Sequence, residues 1–161
     1  GRPVVIDALH VRGDQAGGVV AVAELDRARR NGAALQAMQA LAHFRPRLVG
    51  PVLQGSADRG SRVQLHLFAD AQRGIFRLLE LGIPWRDGER THLYPDGRRV
   101  RYPSFRFRAG DSEVELVVFP VAGLRQPPLE PGQQRPLERA SRGQLERLMA
   151  QPPDQRSLSG R

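Results

Sequence analysis

The spacing of apolar residues changes along the chain and predicts helices first and strands later. Between residues 24 and 44 the apolar positions recur every three or four residues, which places them on one face of a helix. Asn31-Gly32 is expected to end a first helix and begin a second, and Arg45-Pro46 to end the second. The recurring apolar positions include Leu35, Met38, Leu41 and Ala42.

Two short apolar stretches come next and predict a pair of strands. Leu48–Leu53 and Val63–Phe68 are rich in leucine and valine, and the dipeptide Gly55-Ser56 supplies a turn between them. A further helix is predicted over Ala71–Leu81, because apolar residues recur there at helical spacing and a glycine follows.

From residue 91 onward the period of the apolar positions becomes two, which is typical of strands with one buried face. Turn residues at 95–97 and 109–111 separate these segments by the distances found in hairpins. The segments are therefore expected to form an antiparallel meander. Its predicted strands are Thr91–Tyr94, Arg99–Tyr102, Ser104–Arg108 and Glu113–Phe119.

These elements predict an α+β fold, with a mixed or antiparallel sheet and helices packed on one face. Helical and strand segments alternate unevenly, which argues against a doubly wound parallel sheet. The domain is expected to span residues 24–124. An extension at 1–23 precedes it, a proline-rich strap with a short helix follows at 125–150, and residues 151–161 are expected to form a disordered tail.

Both ends of the chain carry local signals. Residues 1–23 hold short apolar runs separated by glycine and aspartate, which fit one or two strands or the end of a segment cut from a longer protein. Ser141 is expected to cap the helix Arg142–Ala150. The side chains predicted to face inward from that helix are Leu145, Leu148 and Met149.

Composition excludes several classes of site. The chain has 161 residues, of which 40% are hydrophobic and 26% charged, as in ordinary globular domains. The absence of cysteine excludes disulfides, thiolate zinc sites and cysteine nucleophiles. No apolar run approaches the ~20 residues that cross a bilayer and no signal peptide is visible, so the expected location is cytoplasmic, without a membrane.

The charge balance favours polyanionic partners weakly. The formal net charge is +8, and all 25 basic residues are arginine, which is more typical of a GC-rich genome than of a binding requirement. The excess is spread over the chain instead of being concentrated in one basic segment. A nucleotide or RNA is therefore a partner to consider.

The segment from Leu48 to Phe68 resembles the nucleotidyltransferase superfamily, which includes DNA polymerase beta, poly(A) polymerases and small antibiotic-modifying enzymes. The resemblance covers about residues 33–120 and depends on the order helix, strand, Gly-Ser turn, strand and later strand, the last being "SEVELVVF" at 112–119. The segment is also similar to bacterial nucleotidyltransferase-like proteins that carry "HLF" in the second of these strands, as residues 66–68 do here.

The resemblance implies a nucleotide site and a catalytic site. In the family the Gly-Ser turn contacts a triphosphate, two carboxylates one residue apart follow on a strand, and a third comes from a later strand; together they hold magnesium. Carried over to this chain, the pattern assigns Gly55, Ser56 and Arg59 to the nucleotide. It assigns the three catalytic positions to Gln64, His66 and Glu115.

This chain departs from the pattern at the metal-binding positions. Gln64 and His66 lie two apart on one strand face, but neither supplies the anionic oxygen that magnesium prefers. The segment between Ser56 and Gln64 is also several residues shorter than the family pattern. The sequence therefore predicts that transferase activity is reduced or lost, that magnesium would be the cofactor of an active form, and that nucleotide binding can remain.

Each candidate residue also has a purely structural interpretation. Gly55-Ser56 fits a plain hairpin turn, and His66 fits a half-buried strand histidine bonded to a neighbour. Glu113 and Glu115 fit the exposed face of an edge strand, where carboxylates need no function. The remaining histidines show no ligand spacing, so no metal site is predicted from them.

A second class of function is suggested by the arginines and aromatic residues of 85–108. Basic groups interleaved with aromatics suit single-stranded nucleic acid, so a non-catalytic RNA- or protein-binding module is the alternative hypothesis. The same pattern fits strands with aromatics in the core and arginines in water. The arginines assigned to nucleic acid are Arg99, Arg101, Arg106 and Arg108.

Overall fold

The computed structural model describes residues 18–57, 61–70, 77 and 80–151, with side chains from residue 25 onward. This part of the chain forms an α+β fold built on a five-stranded mixed sheet. The described helices are α1 Gly18–Ala40, α2 Gly50–Gln54 and α3 Arg142–Ala150. The strands are β1 Arg47–Val49, β2 Val63–Phe68, β3 Arg86–Leu93, β4 Arg99–Ala109 and β5 Ser112–Phe119.

The strands lie in the order β1-β2-β5-β4-β3. The β2–β5 pair is parallel and every other pair is antiparallel, which confirms a mixed sheet. β3, β4 and β5 form the expected meander, although β4 runs without interruption through Pro103. Because β2 pairs directly with β5, residues far apart in sequence become neighbours at the centre of the sheet.

Helix α1 does not end at Asn31-Gly32, so the predicted division into two helices is wrong. Asn31 is buried, and Ala34 after it is fully buried against the sheet. Burial of this face outweighs the cost of a glycine inside a helix, which is about 1 kcal/mol relative to alanine. Helix α1 ends at Ala40 and is followed by a 3-10 helix at Ala42–Phe44. Helical structure stops at Arg45, as predicted, because Arg45 has a left-handed φ of 51°.

The prediction of one strand over Leu48–Leu53 is wrong beyond Val49. There the chain turns into α2, because Pro51 has the fixed φ and the missing N–H that suit the first turn of a helix. Gly50 enters this turn with a φ of 79°, which favours glycine. The pairing of β1 with β2 holds nevertheless, with Leu48 opposite Leu65.

One face of the sheet packs against α1 and α3 and forms the main core. Val63, Leu65 and Leu67 of β2 are buried there, as the alternation of side chains along a strand requires. Leu145 and Leu148 of α3 join them, and Ser141 caps that helix in a capping box with Gln144, as predicted.

The opposite face of the sheet is mostly polar, and we call it the polar face. Paired residues on neighbouring strands share a face, so the strand registers define its membership. It comprises Arg47 and Val49 of β1, Gln64, His66 and Phe68 of β2, Glu113, Glu115, Val117 and Phe119 of β5, Val100, Tyr102, Ser104, Arg106 and Arg108 of β4, and Arg86, Gly88, Arg90 and His92 of β3.

Residues 120–141, which we call the strap, connect β5 to α3. The strap begins with a 3-10 turn at Val121–Arg125, and Leu124 packs on Phe68 and Phe119 of the polar face. Its end bonds to β1, where the backbone groups of Ala140 and Leu48 exchange hydrogen bonds of 2.8 and 2.9 Å. The strap therefore holds to the sheet at both ends.

Several predictions fall wholly or partly outside the described residues. The strands considered for residues 1–23 lie outside the description up to residue 17, and at residues 18–23 they are wrong because α1 begins at Gly18. Arg59, the tail from residue 152 and most of the helix at 71–81 also lie outside. Near the end of that helix Arg77 and Glu80 are helical, and the Arg77 guanidinium donates two bonds of 3.1 Å to the Ala40 carbonyl. None of the helices described is long and apolar enough to span a bilayer.

Candidate functional site

The sheet brings the three candidate catalytic positions together on the polar face. Gln64 lies directly opposite Glu115 in the parallel β2–β5 pair, and His66 follows Gln64 two residues later. Neighbouring strands are about 4.8 Å apart, so side chains at these positions are within reach of one another. These three positions meet because β2 and β5 pair in parallel, and not because of a local sequence motif.

Glu115 is buried on the central strand and is bonded to Arg90. It is 2% exposed, and its two carboxylate oxygens accept three hydrogen bonds of 2.8 to 3.1 Å from the Arg90 guanidinium. This bonding raises the pKa of Arg90. The expectation of an exposed edge strand for Glu115 is wrong, because β5 lies between β2 and β4.

His66 is buried more completely than expected, with 2% of its surface exposed. Its Nδ1 accepts a hydrogen bond of 3.1 Å from Nε of Arg139, so the neutral ring carries its proton on Nε2. Burial, followed by the positive charge of Arg139 and the nearby ring of His92, lowers the pKa of His66 well below its usual value. The structural interpretation of His66, a strand histidine bonded to a neighbour, fits this environment.

His92 of β3 extends the cluster. Its ring centroid lies 5.3 Å from that of His66 and 5.4 Å from that of Phe119. Burial, with smaller contributions from Arg139 and Arg90, lowers the pKa of His92 to about 4. Both rings are therefore neutral near pH 7, and Nε2 of His92 is buried without a hydrogen-bond partner.

Arg139 ties the strap to this cluster. Besides its bond to His66, it donates through Nη1 to the Gly123 carbonyl at 2.8 Å. Its guanidinium carbon lies 4.8 Å from the centroid of the Phe68 ring and 5.0 Å from that of Phe119. Burial lowers the pKa of Arg139 to about 10, which leaves the side chain charged at neutral pH.

The donor set at the candidate site does not fit magnesium. Gln64 offers a neutral amide, His66 uses Nδ1 for Arg139, and Glu115 uses both oxygens for Arg90. Magnesium prefers anionic oxygen ligands in octahedral geometry, and none is left uncommitted at these three positions. Among the residues described, no group of three or more histidine or acidic side chains could hold a metal ion.

The glycine that approaches the candidate site is Gly50. A Cβ added there would lie 2.6 Å from Oε1 of Gln64, so a larger residue would displace this side chain. Gly55 and Ser56 lie at the other end of α2, and their N–H groups donate to the carbonyls of Val52 and Pro51. A phosphate at this turn would therefore have to use the exposed serine hydroxyl in place of those amides.

The four arginines assigned to nucleic acid do not share a face. Side chains alternate along β4, so Arg106 and Arg108 belong to the polar face, whereas Arg99 and Arg101 point to the opposite side. Arg101 there lies 3.7 Å from Glu89 in an exposed ion pair. One flat ligand therefore cannot contact all four arginines at once.

Sequence reasoning missed the residues that partner the candidate site. Arg90 lies 25 positions from Glu115, and Arg139 lies 73 positions from His66. Neither spacing belongs to a local motif, so the sequence carries no signal for these contacts. The signal available for Gly50 was the adjacent proline, which indicates the start of a helix.

Comparisons with known proteins were made for the whole chain. No family model, no curated protein and no solved structure matches it.

Proposed function

We propose that the chain is a nucleotidyltransferase-like domain that binds a nucleotide but has lost metal-dependent transfer. The observation that carries this proposal is the hydrogen-bonded ion pair of Arg90 with Glu115, the one carboxylate among the three candidate positions. The Arg90 guanidinium supplies to this carboxylate the positive charge that a metal ion would supply in an active member of the family.

The order of elements supports the likeness to the family. A helix precedes β1, a glycine turn separates β1 from β2, and the candidate positions follow on β2 and on the later strand β5. The register sets Gln64 beside Glu115, which is the convergence that the resemblance requires. Among the described glycines between these strands, Gly50 approaches Gln64, so we propose that the nucleotide-contacting turn at Gly55 and Ser56 extends over residues 50–56.

Charge argues against divalent ions at this site. The guanidinium groups of Arg90 and Arg139 bring two positive charges against the single carboxylate of Glu115. A divalent cation would have to displace Arg90 and enter a region of positive potential. Phosphate oxygens are anionic and are not subject to that repulsion.

Calorimetric titration with ATP, CTP, GTP and UTP, with and without magnesium or manganese, tests the proposal. We expect binding whose affinity does not depend on the metal, and no pyrophosphate release. Ser56→Ala should weaken binding, while Thr91→Ala, which removes an exposed hydroxyl from β3, should not. Metal-dependent binding or pyrophosphate release would contradict the loss of transfer, and the absence of any binding would contradict the nucleotide.

A second candidate function, an RNA- or protein-binding module, is favoured by one surface of the β3–β4 hairpin. Leu93 is 40% exposed there and pairs with Arg99, while Thr91 pairs with Arg101. An exposed apolar residue beside two arginines suits a partner that offers both apolar and anionic groups. Salt-sensitive RNA binding, weakened by Arg99→Ala and Arg101→Ala, would support this function.

A further inference from the structure

Two arginines face each other on the polar face of the β3–β4 hairpin. Arg86 of β3 lies directly opposite Arg106 of β4, and paired residues of antiparallel strands project to the same side. Like charges directly opposite each other destabilise a sheet. From this pair and its surroundings we infer a binding site for a small phosphoryl anion, which would neutralise both guanidinium groups.

The acidic residues next to this pair are committed to other arginines. Glu115 lies opposite Arg106 on β5, but it is bonded to Arg90. Glu113, the other acidic residue of β5 on the polar face, forms an ion pair with Arg62. Nε of Arg106 is buried and has no hydrogen-bond partner, which leaves one strong donor unsatisfied.

Gly88 has no side chain to cover the neighbouring Arg106 guanidinium. It lies on β3 between Arg86 and Arg90 and opposite Ser104 of β4. A Cβ at Gly88 would lie 2.9 Å from the buried Ser104 hydroxyl and 4.0 Å from Nη2 of Arg106. Any other residue here would therefore displace Ser104 and crowd the guanidinium.

A phosphoryl group suits this arrangement better than a carboxylate. Guanidinium groups bind phosphate through paired hydrogen bonds, and a tetrahedral anion has enough oxygens to accept from both arginines at once. The group can belong to inorganic phosphate, pyrophosphate or a nucleotide. The site goes beyond the proposed function, because it uses β3 and β4 and requires neither the turn at 50–56 nor a nucleobase.

The test is calorimetric titration of the whole chain at low salt with phosphate, pyrophosphate, ATP and adenosine. We expect pyrophosphate to bind and adenosine not to bind. Arg106→Gln and Arg86→Gln should each weaken pyrophosphate binding about tenfold or more, since each removes charge-assisted hydrogen bonds. The matched control is Arg147→Gln, which removes the same charge from an exposed position of α3, on the other face of the sheet, and should change affinity less than twofold.

Thermal unfolding of each variant checks that the fold is retained. Gly88→Ala provides a second variant, which leaves the charge unchanged and should also weaken binding, because the added Cβ would displace Ser104 and crowd Arg106. Equal losses with Arg147→Gln and Arg106→Gln would show general electrostatic attraction and overturn the inference. So would binding to an RNA oligonucleotide without binding to pyrophosphate. ATP binding that survives Arg106→Gln but is lost in Ser56→Ala would overturn this site while leaving the proposed function intact.

Discussion

Arg90 and Glu115 bond to each other across the sheet although β4 lies between their strands. The Glu115 side chain is 3% exposed and that of Arg90 is 43% exposed, so the carboxylate depends on this partner more than the guanidinium does. Loss of the partner would leave a buried and uncompensated charge, which is one of the costliest changes in a protein interior.

The first prediction follows from this dependence. Arg90→Gln should lower the free energy of unfolding by about 2–3 kcal/mol, which is less than for a fully buried pair because Arg90 is partly exposed. Adding Glu115→Gln should restore part of the loss, since the unpaired charge disappears. Urea unfolding of both single variants and the double variant measures this coupling. Additive losses would show that the two side chains do not stabilise each other.

Acid should destabilise the fold before the carboxylates begin to titrate. The pKa values of His66 and His92 are lowered in the folded state, so the unfolded chain binds more protons below pH ~6.5. The stability that depends on the neutral histidines is therefore fully present above the unfolded pKa and decreases as the pH falls, by about 2 kcal/mol for His92 between pH 7 and 5. The titratable and charged groups around His92 are Arg139, Arg90, Glu115, His66 and Tyr102.

Chemical denaturation at a series of pH values checks this dependence. His92→Gln should reduce the slope of stability against pH by about one proton, because one titrating group is removed. Thr91→Ala is the control, since it changes an exposed residue of the same strand that carries no titrating group and should leave the slope unchanged. A wild-type slope equal to that of the His92 variant would contradict a lowered pKa of His92 as a cause of the acid sensitivity.

Arg139 should influence the histidines as well as the strap. Arg139→Gln removes a positive charge that lowers both histidine pKa values, so the pKa of His92 should rise from about 4. The variant also loses the bonds to His66 and Gly123, and amide hydrogen exchange in the strap should accelerate.

Histidine titration by NMR and hydrogen exchange are the two measurements for that variant. Arg125→Gln provides the control, because this arginine belongs to the same strap but is exposed. An unchanged pKa of His92 in Arg139→Gln would show that the charge of Arg139 does not contribute to the lowered pKa.

Gly50 and Gly55 offer a matched comparison at the two ends of α2. Both have positive φ values, of 79° and 76°, but a Cβ at Gly50 would meet Oε1 of Gln64 at 2.6 Å, whereas one at Gly55 would meet nothing within 4 Å. Gly55→Ala should cost about 1 kcal/mol for backbone strain alone. Gly50→Ala should cost about 1–2 kcal/mol more, as measured by thermal or urea unfolding. Equal costs would mean that Gln64 moves aside freely.

How far the sequence predicted the fold depended on whether the determining contacts were local. The bounds of β2, the cap at Ser141 and the stop of helical structure at Arg45 were predicted correctly, because each depends on a few adjacent residues. The division of α1 at Asn31 was wrong, because tertiary burial of that face decided the outcome.

The candidate site shows the same limit more strongly. Alternation along β2 correctly placed Gln64 and His66 on one face, and that is a local property. The partners of the site come from distant strands and from the strap, and their positions follow from the parallel β2–β5 pairing. A single sequence contains no periodicity that joins Arg139 to His66.

The bridge between Ala140 and Leu48 has a consequence for the outer edge of the sheet. β1 is an edge strand, and unpaired backbone groups on such a strand invite pairing with other chains. The two hydrogen bonds between Ala140 and Leu48 occupy the backbone N–H and C=O of Leu48, so these groups cannot pair with another chain. A chain that ended before residue 137 would lack Ala140 and would expose this edge. Such a chain would be prone to aggregate through intermolecular β-pairing even where its core remained folded.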